Sequence, residues 1–490
     1  MRRERYHAMQ ITVRTATASI AVALACMAFA RTVTSVARAQ GESRPPNFIV
    51  ILTDDQGYGD LGSYGHPTLR TPNLDRMAAE GQRWTSFYAA PVCTPSRAQL
   101  LTGRLAVRTG LAGGVLFPDS TGGLPPEEIT IAEVLRSRNY ATAAVGKWHL
   151  GVLPEYLPTS QGFDSYYGIP YSNDMDQTGQ GLPADERFRR YMAPKIEFFN
   201  VPLMRNTTII ERPADQTTIT RRYTDAAIGF IKSHQTGPFF LYLAHNFPHM
   251  PLFRSKEFEG KSERGVYGDA VEEIDANVGR ILATLRELKI DENTLVLFMS
   301  DNGPWAPYLE QGGSAGLLRG AKGSTWEGGV RVPAIFRWPG TVPVSAVSGI
   351  GSELDILPTF ARLAGAQVPA DRVLDGYDLS ATLRGSSPSG RNTVFYYANS
   401  GDGVLSAVRR GPYKAHFIVP GADSGGSSGG LSAPPQLYNL DQDPSEKYDL
   451  ADKHPELIAQ LRALADEHQR TVVRVKNQIA TRTPVKPSRP

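Results

Sequence analysis

The sequence predicts an α/β protein: a large, mostly parallel central sheet covered by helices, followed by a smaller C-terminal domain with an antiparallel sheet and a helix. Three observations predict it. Continuous apolar, β-rich runs recur and each ends in polar residues; helical patterns with apolar residues three and four apart separate them; near Arg391 the pattern changes to short strand-like pieces. With 490 residues, 41% of them hydrophobic, the chain can bury one large core and an accessory one.

The elements follow in order. Residues 1–39 combine a basic start (Arg2, Arg3, Arg5, Arg14), the apolar centre "ASIAVALACMAFA" and the small-residue pattern "VARA" ending at Ala39. This reads as a signal peptide cleaved after Ala39, with export to the periplasm or the medium. The apolar centre is well short of the roughly 20 residues of a membrane-spanning helix, and "ALA" before Cys26 makes a poor lipoprotein cleavage site. Six Arg and one Glu lie in this segment, so its removal lowers the formal charge from +3 to −2. The pI of 8.7 therefore gives no argument for a nucleic-acid partner. Removal also takes Cys26 and leaves Cys93 without a thiol to pair with.

After the linker "GESRPP", Phe48–Leu52 reads as a strand buried on both faces that delivers Asp54 and Asp55 into a loop. "YATAAVGKWHLG" ends in Lys147 and His149, "PFFLYLAHNFPHMP" in His245 and His249, and "NTLVLFMSDNGP" in Asp301 and Asn302. Helices are predicted over Ile131–Asn139, Thr224–His234 and Asp269–Leu288. Ligands of such sheets sit beyond the carboxyl ends of the strands, so these polar residues are the candidate site. From about residue 386, "TVFYYANS", "GVLSAVRRGPYKAHFIV" and "PQLYNL" predict a small antiparallel sheet, with "PGADSGGSSGG" as a flexible loop inside it and a helix in "PELIAQLRALADEHQRTV" after it. The expected division is a signal peptide at 1–39, a catalytic domain at 40–385 and a C-terminal subdomain at 386–490.

The stretch "YAAPVCTPSRAQLLTGR" holds Cys93. Thr94 as N-cap, Pro95 at the first helical position and Gly103 as terminator predict a helix from Pro95 to Thr102. Cys93 then stands at the positive end of that helix, a place suited to anions, and Arg97 can turn back toward it. A buried structural cysteine is one reading. A thiolate phosphatase is another, but those enzymes place their arginine six residues beyond the cysteine, and here Arg97 is four beyond.

The run "CTPSRAQLLTGR" resembles the signature of the type I (formylglycine-dependent) sulfatases, in which a maturation enzyme oxidises the cysteine of Cys-x-Pro-x-Arg to formylglycine. The resemblance continues through "TDDQGYGDLGSYG", "GKWHLG", "GFDSYYGIPYSND", "PFFLYLAHNFPHMP", "DNGP", "GLLRGAKGSTWEGGVRVPAIFRWPG" and "PYKAHF", over nearly the whole chain beyond residue 39. It implies an alkaline-phosphatase-like fold and hydrolysis of sulfate monoesters of the arylsulfatase type. Asp54, Asp55, Asp301 and Asn302, with residue 93, match the family's calcium ligands. An oxygen set from the ends of two strands suits a hard divalent cation, and ligand type alone leaves magnesium open. Lys147 and His149 match residues that hold the formylglycine hydrate, and His149 helps release sulfate. His249 and Lys322 match side chains that bind the sulfate ester, either of which can protonate the leaving oxygen, and Ser172 matches a hydroxyl of the same pocket. Arg97 steadies the charged site, His416 in "YKAHF" is a candidate to reach the pocket from the second domain, and His245 is a weaker neighbour.

In the family mechanism so implied, one hydroxyl of the hydrate, polarised by calcium, attacks sulfur and the alcohol departs. A base, His149, then takes the proton of the second hydroxyl as sulfate leaves. Two other functions stay open: a phosphate or phosphonate ester hydrolase on the same fold, and a non-catalytic carbohydrate binder, although a binder has no need for Cys-x-Pro-x-Arg. The segment from Asp176 to Asn200 and the loops of the second domain are expected to form the pocket rim. Aryl, sugar and lipid sulfates all remain open as substrates, as do oligomeric state and glycosylation at Asn206.

Overall fold

The run Asn47–Thr53 (β1) is the axis of the fold. All seven residues are buried; Phe48, Val50 and Leu52 join one hydrophobic core and Ile49 and Ile51 the other. A strand covered on both faces needs apolar residues at both parities, and this run supplies them. The computed structural model describes residues 44–179, 181–420 and 434–481; the expected signal peptide and the Gly/Ser-rich loop from residue 421 lie outside them. Residues from 46 onward form one compact unit.

The large sheet continues with β2 (Gln82–Tyr88), β3 (Ala141–Gly146), β4 (Ser165–Gly168), β5 (Leu203–Arg205), β6 (Thr208–Glu211), β7 (Phe239–Ala244), β8 (Thr294–Ser300), β9 (Arg331–Arg337) and β10 (Ser345–Ser352). Its strand order is β10-β2-β9-β8-β1-β7-β3-β4-β5-β6. The central four, β8-β1-β7-β3, are parallel, with Val50 opposite Leu297 and Tyr242 and with Ala143 opposite Leu241. β9 runs antiparallel between β8 and β2, and β4, β5 and β6 form an antiparallel edge. The sheet is therefore mixed, and the sequence, which signals burial but not strand direction, did not announce these antiparallel members.

Helices cover both faces. Pro72–Ala79, Ile219–His234 and Gly265–Glu287 place Met77, Tyr223 and Ile274 in one core; Cys93–Thr102, Ile131–Arg136 and Ile356–Ala364 place Leu101, Leu135 and Phe360 in the other. The predicted helix over Ile131–Asn139 stops at Arg136, and Asn139 takes a left-handed backbone with φ 61° that turns the chain into β3. Its start is set by a capping box between Thr130 and Glu133. The two long helices begin four or five residues earlier than the apolar period indicated, at Ile219 and Gly265.

The small sheet is antiparallel: β11 (Thr393–Tyr397), β12 (Leu405–Arg410), β13 (Tyr413–His416) and β14 (Gln436–Asn439). The Pro455–Thr471 helix packs Leu461 and Ala465 against Leu405 and Val408. A separate cluster, Tyr88, Val330, Ile350, Val394, Tyr396 and Ala407, joins this sheet to the large one. Among the described residues no helix is long and apolar enough to cross a membrane.

Four parallel neighbours deliver their carboxyl ends along one edge, and this gathers the polar residues that follow them. Gly146 makes the closest of these turns: its φ is 105°, and a Cβ there would lie 1.8 Å from the Ala244 carbonyl oxygen. Gly146→Ala is expected to lower stability by on the order of 3 kcal/mol, from left-handed strain and backbone collision together. Urea unfolding measures this, and a change below about 0.5 kcal/mol, the size of an ordinary surface substitution, contradicts it.

Candidate active site

Val92 is extended and caps a ten-residue, fully buried helix whose first residue is Cys93; Gly103, with φ 66°, ends it by donating to the Gln99 carbonyl. The helix thus starts two residues before the predicted Pro95. Thr94 does not act as N-cap because its hydroxyl is engaged elsewhere, donating to the His149 carbonyl at 2.9 Å and accepting from the Leu116 amide at 3.2 Å. The shift brings Cys93 into the first turn, where helix N–H groups favour negative charge. Its thiol donates to Asp54 Oδ1 at 3.3 Å. Burial, and then the Asp54 carboxylate, push the thiol well above its usual range, so Cys93 as a thiol is protonated and a weak nucleophile.

Three buried carboxylates meet beside it. Asp54 and Asp55 follow β1, and Asp301 with Asn302 follows β8. Asp55 takes φ 62°, its amide donates to Asp301 Oδ1 at 3.2 Å, and Asn302 Nδ2 donates to Asp55 Oδ1 at 2.7 Å. Three cations answer them. Arg97 donates from Nη2 and Nε to Asp301 Oδ2 at 2.8 and 3.1 Å and from Nη1 to the Lys147 carbonyl at 2.8 Å. Lys147 Nζ bonds Asp54 Oδ2 and donates to the Ser172 hydroxyl at 3.1 Å. Lys322 Nζ lies 2.8 Å from both oxygens of Asp55 and sits over the Trp305 ring.

The electrostatics separate the acids. Burial alone would raise Asp54, but Lys147, Arg97 and Lys322 hold it well below the usual carboxylate range. Burial and the neighbouring Asp54 raise Asp55 against Lys322, and burial with Asp54 raises Asp301 to about 7 against Arg97. Burial thus works against the ionised form of Asp55 and Asp301, and their paired cations work for it. A further cation would relieve this cost. Asn302 Oδ1 is buried and has no hydrogen-bond partner among the described residues, and Asp54, Asp55, Cys93 and His249 each offer an atom within 4.8 Å of one another. Carboxylate and amide oxygens in this number fit a hard divalent ion.

The two expected histidines are neutral. Burial first, then Lys147 and Arg97, push His149 well below its usual value, and burial with Lys322 does the same to His249. His149 Nε2 lies 2.9 Å from the Leu116 carbonyl, which only accepts, so Nε2 carries the proton. Its Nδ1, with no partner among the described residues, is a bare acceptor. His249 is the mirror case: Nδ1 donates to the Met250 carbonyl and the bare Nε2 lies 3.6 Å from Asp55 Oδ2.

His416 does not reach this cluster. It is fully buried, donates from Nε2 to Glu446 Oε1 at 2.8 Å and packs on the Trp326 ring. It is the last residue of β13, inside the strand-like piece the sequence indicated, but that strand belongs to the small sheet and carries the ring to a different set of charges. His245 is enclosed, and burial pushes it down to about 4. Sequence reasoning missed Trp305, whose ring centroid is 4.9 Å from that of His249 and which also supports Lys322. Its position in "DNGPW", three residues past Asn302, was the available signal. It also missed Glu353, which accepts from Ser96 Oγ and the Ala90 amide behind the Cys93 helix.

A buried cluster of balanced charge, with two lysines and two bare imidazole nitrogens beside the carboxylates, fits a hydrolase for anionic esters. Residues 46–366 match the Sulfatase family and residues 389–489 the C-terminal region of aryl-sulfatase. The chain is 44% identical over 449 residues to arylsulfatase A of Homo sapiens, covering 86% of this chain and 87% of that one. It is 39% identical over 480 residues to N-acetylgalactosamine-6-sulfatase of Canis lupus familiaris, covering 89% and 88%. The crystal structure of PsFucS1 sulfatase from Pseudoalteromonas sp. superimposes with a TM-score of 0.78 at 31% identity, over 90% of this chain and 92% of that one. The chain belongs to the sulfatase family, and it is a sulfuric ester hydrolase.

Arg97 joins three parts of the site, and its removal leaves Asp301 uncompensated. Arg97→Ala is expected to cost on the order of 3–5 kcal/mol, as the loss of one partner of a buried ion pair does. Chemical denaturation of the purified variant measures the loss.

Proposed function

We propose that this chain hydrolyses sulfate monoesters of the arylsulfatase type, with residue 93 matured from cysteine to formylglycine and one calcium ion at Asp54, Asp55, Asp301 and Asn302. The observation that carries the proposal is the Cys93 thiol itself, buried at a helix N-terminus against Asp54 and held protonated. A nucleophile is needed where the thiol is a poor one, and oxidation to an aldehyde, whose hydrate presents hydroxyls, supplies it. Calcium would add the positive charge that draws in sulfate oxygens and polarises them. The partner implied is a maturation enzyme acting on Cys-x-Pro-x-Arg, and the signal peptide implies export after that step.

The chain's own groups divide the remaining work. Lys147 and Ser172, 3.1 Å apart, hold the hydroxyls on residue 93. His149 Nδ1, bare because Nε2 is committed to Leu116, accepts a proton as sulfate is released. Burial lowers Lys322, but Asp55 outweighs it and raises the ammonium above its ordinary value, so Lys322 stays charged and donates to the ester oxygen that leaves. His249, with its Nε2 unprotonated, cannot donate there until it gains a proton, which gives Lys322 the larger part. Enzymes lower such barriers by about 8–23 kcal/mol and one preorganised donor supplies roughly 3–4, so these groups act together.

The alcohol side faces Trp305. Tyr308 packs on Trp305 edge to face at 4.7 Å, and Tyr191 and Phe188, from the expected rim segment, stack on Tyr308. Asp174 accepts from the Tyr191 hydroxyl at 2.9 Å, and its other oxygen has no partner among the described residues. An aromatic wall beside a free acceptor oxygen favours a second reading within the same chemistry, a sulfated sugar whose hydroxyls Asp174 receives.

Turnover of p-nitrophenyl sulfate and p-nitrophenyl phosphate, measured side by side, tests the reaction. Sulfate is expected to be preferred by about 100-fold, the size that misplaced donors cost; a phosphate preference overturns the proposal in favour of a phosphate ester hydrolase. The residue-93 peptide of active protein is expected to react with a hydrazide as an aldehyde, and Cys93→Ala to remain folded without turnover. Fully active protein carrying only the thiol would falsify the nucleophile.

A further inference from the structure

The catalytic Lys322 stands in irregular chain, between β8 and β9, where no regular ladder fixes its place. Part of its support is local: its amide donates to the Pro304 carbonyl at 3.0 Å and the Gly323 amide to the Pro91 carbonyl at 2.7 Å. The rest comes from the C-terminal region. Lys414 Nζ, on β13, donates to the Thr325 carbonyl at 2.7 Å and to Glu327 Oε1 at 2.9 Å. Glu446 lies 3.0 Å from Lys414 Nζ, receives His416 Nε2 and accepts the Glu327 amide at 2.7 Å. Its carbonyl accepts from Arg319 at 3.0 Å, and the Arg319 guanidinium lies over the Trp326 ring. Ser406 reaches the Thr325 hydroxyl at 3.2 Å.

Lys414, Glu327, Glu446 and His416 are all fully buried. Lys414, Arg331 and Arg409 overcome the burial of Glu327 and hold it down to about 2, so the network is charged. Burying two carboxylates and a lysine costs free energy that an apolar cluster would avoid, and such groups persist where they specify a geometry. Glu446 adds an outlier of its own, a non-glycine residue with φ 51°. Left-handed backbone at a residue with this many bonds marks a place held against local preference. The two groups it holds beyond its own region, Arg319 and the Glu327 amide, lie within five residues of Lys322.

We propose that Glu446 and Lys414 are positioning residues for Lys322, so that the C-terminal region sets the place of the leaving-oxygen donor although it sends no side chain to the reacting atoms. The inference rests on the reading of Lys322 as that donor. An error of about 1 Å in such a group can cost on the order of 100-fold in rate, which a network of this rigidity prevents.

The test is a double-mutant cycle on p-nitrophenyl sulfate hydrolysis, with thermal unfolding followed for every variant. Lys322→Ala is expected to lower kcat by on the order of 10²–10³. Glu446→Gln is expected to lower kcat by about tenfold or more, with KM within about threefold, because the charge that holds the Lys322 segment is lost. In the Lys322→Ala background, Glu446→Gln should cost less than about threefold, since no lysine remains to be positioned. Losses that multiply, or a folded Glu446→Gln enzyme with unchanged kcat, overturn the inference alone. An unimpaired Lys322→Ala enzyme overturns the assignment of Lys322 and the inference with it. If Glu446→Gln does not fold, Arg319→Lys, which gives up the stacked guanidinium bonded to the Glu446 carbonyl, takes its place in the same cycle with the same outcomes.

Discussion

Three carboxylates held in a dry site, at the ends of two strands, are the constraint on which the structure depends. Asp54, Asp55 and Asp301 are unexposed, and burial acts to raise the pKa of each. Arg97, Lys147 and Lys322 make the arrangement tolerable, each from a different element: the Cys93 helix, the turn after β3 and the loop before β9. Burial nevertheless still raises Asp55 and Asp301 above the ordinary carboxylate range. The burial that works against these carboxylates would equally favour a further cation beside them.

The architecture answers that constraint at two levels. Parallel strands β8, β1, β7 and β3 put the groups that need fixed positions at one edge of a rigid sheet, and the long helices keep water from its faces. Lys322 stands in irregular chain that wraps between the sheets, so its placement depends on contacts rather than on a ladder. The small sheet supplies them. Its network of Glu327, Lys414, Glu446 and His416 resembles the active cluster in kind, with paired charges fully enclosed.

Proton traffic follows from hydrogen bonds that never touch substrate. The carbonyls of Leu116 and Met250 each claim one ring nitrogen of a histidine, and the opposite nitrogen is left bare toward the cluster. Nearby lysines and burial keep both rings neutral, so each is ready to accept rather than to give. In the proposed reaction Lys322, whose ammonium Asp55 favours against burial, takes the donor's part. In the proposed reaction acid and base would thus be assigned by second partners and local charge.

By itself the sequence determined the strands, because continuous apolar runs must be buried on both faces, and it determined which polar residues follow them. Asp54, Asp55, Lys147, His149, His249, Asp301 and Asn302 were legible for that reason, and Cys93 and Arg97 through their spacing in "CTPSR". The tertiary structure alone decided what depends on partners distant in the chain. Asn302 fixes Asp55 across 247 residues, Leu116 and His149 engage Thr94 and move the helix start to Cys93, and Trp305 becomes a wall only where His249 and Lys322 meet it. His416 shows the limit most clearly. A histidine at the end of a strand-like run looks the same in either sheet, and only the packing of the small sheet turned it toward Glu446, since residue type and spacing carry no record of which carboxylate will face a ring after folding.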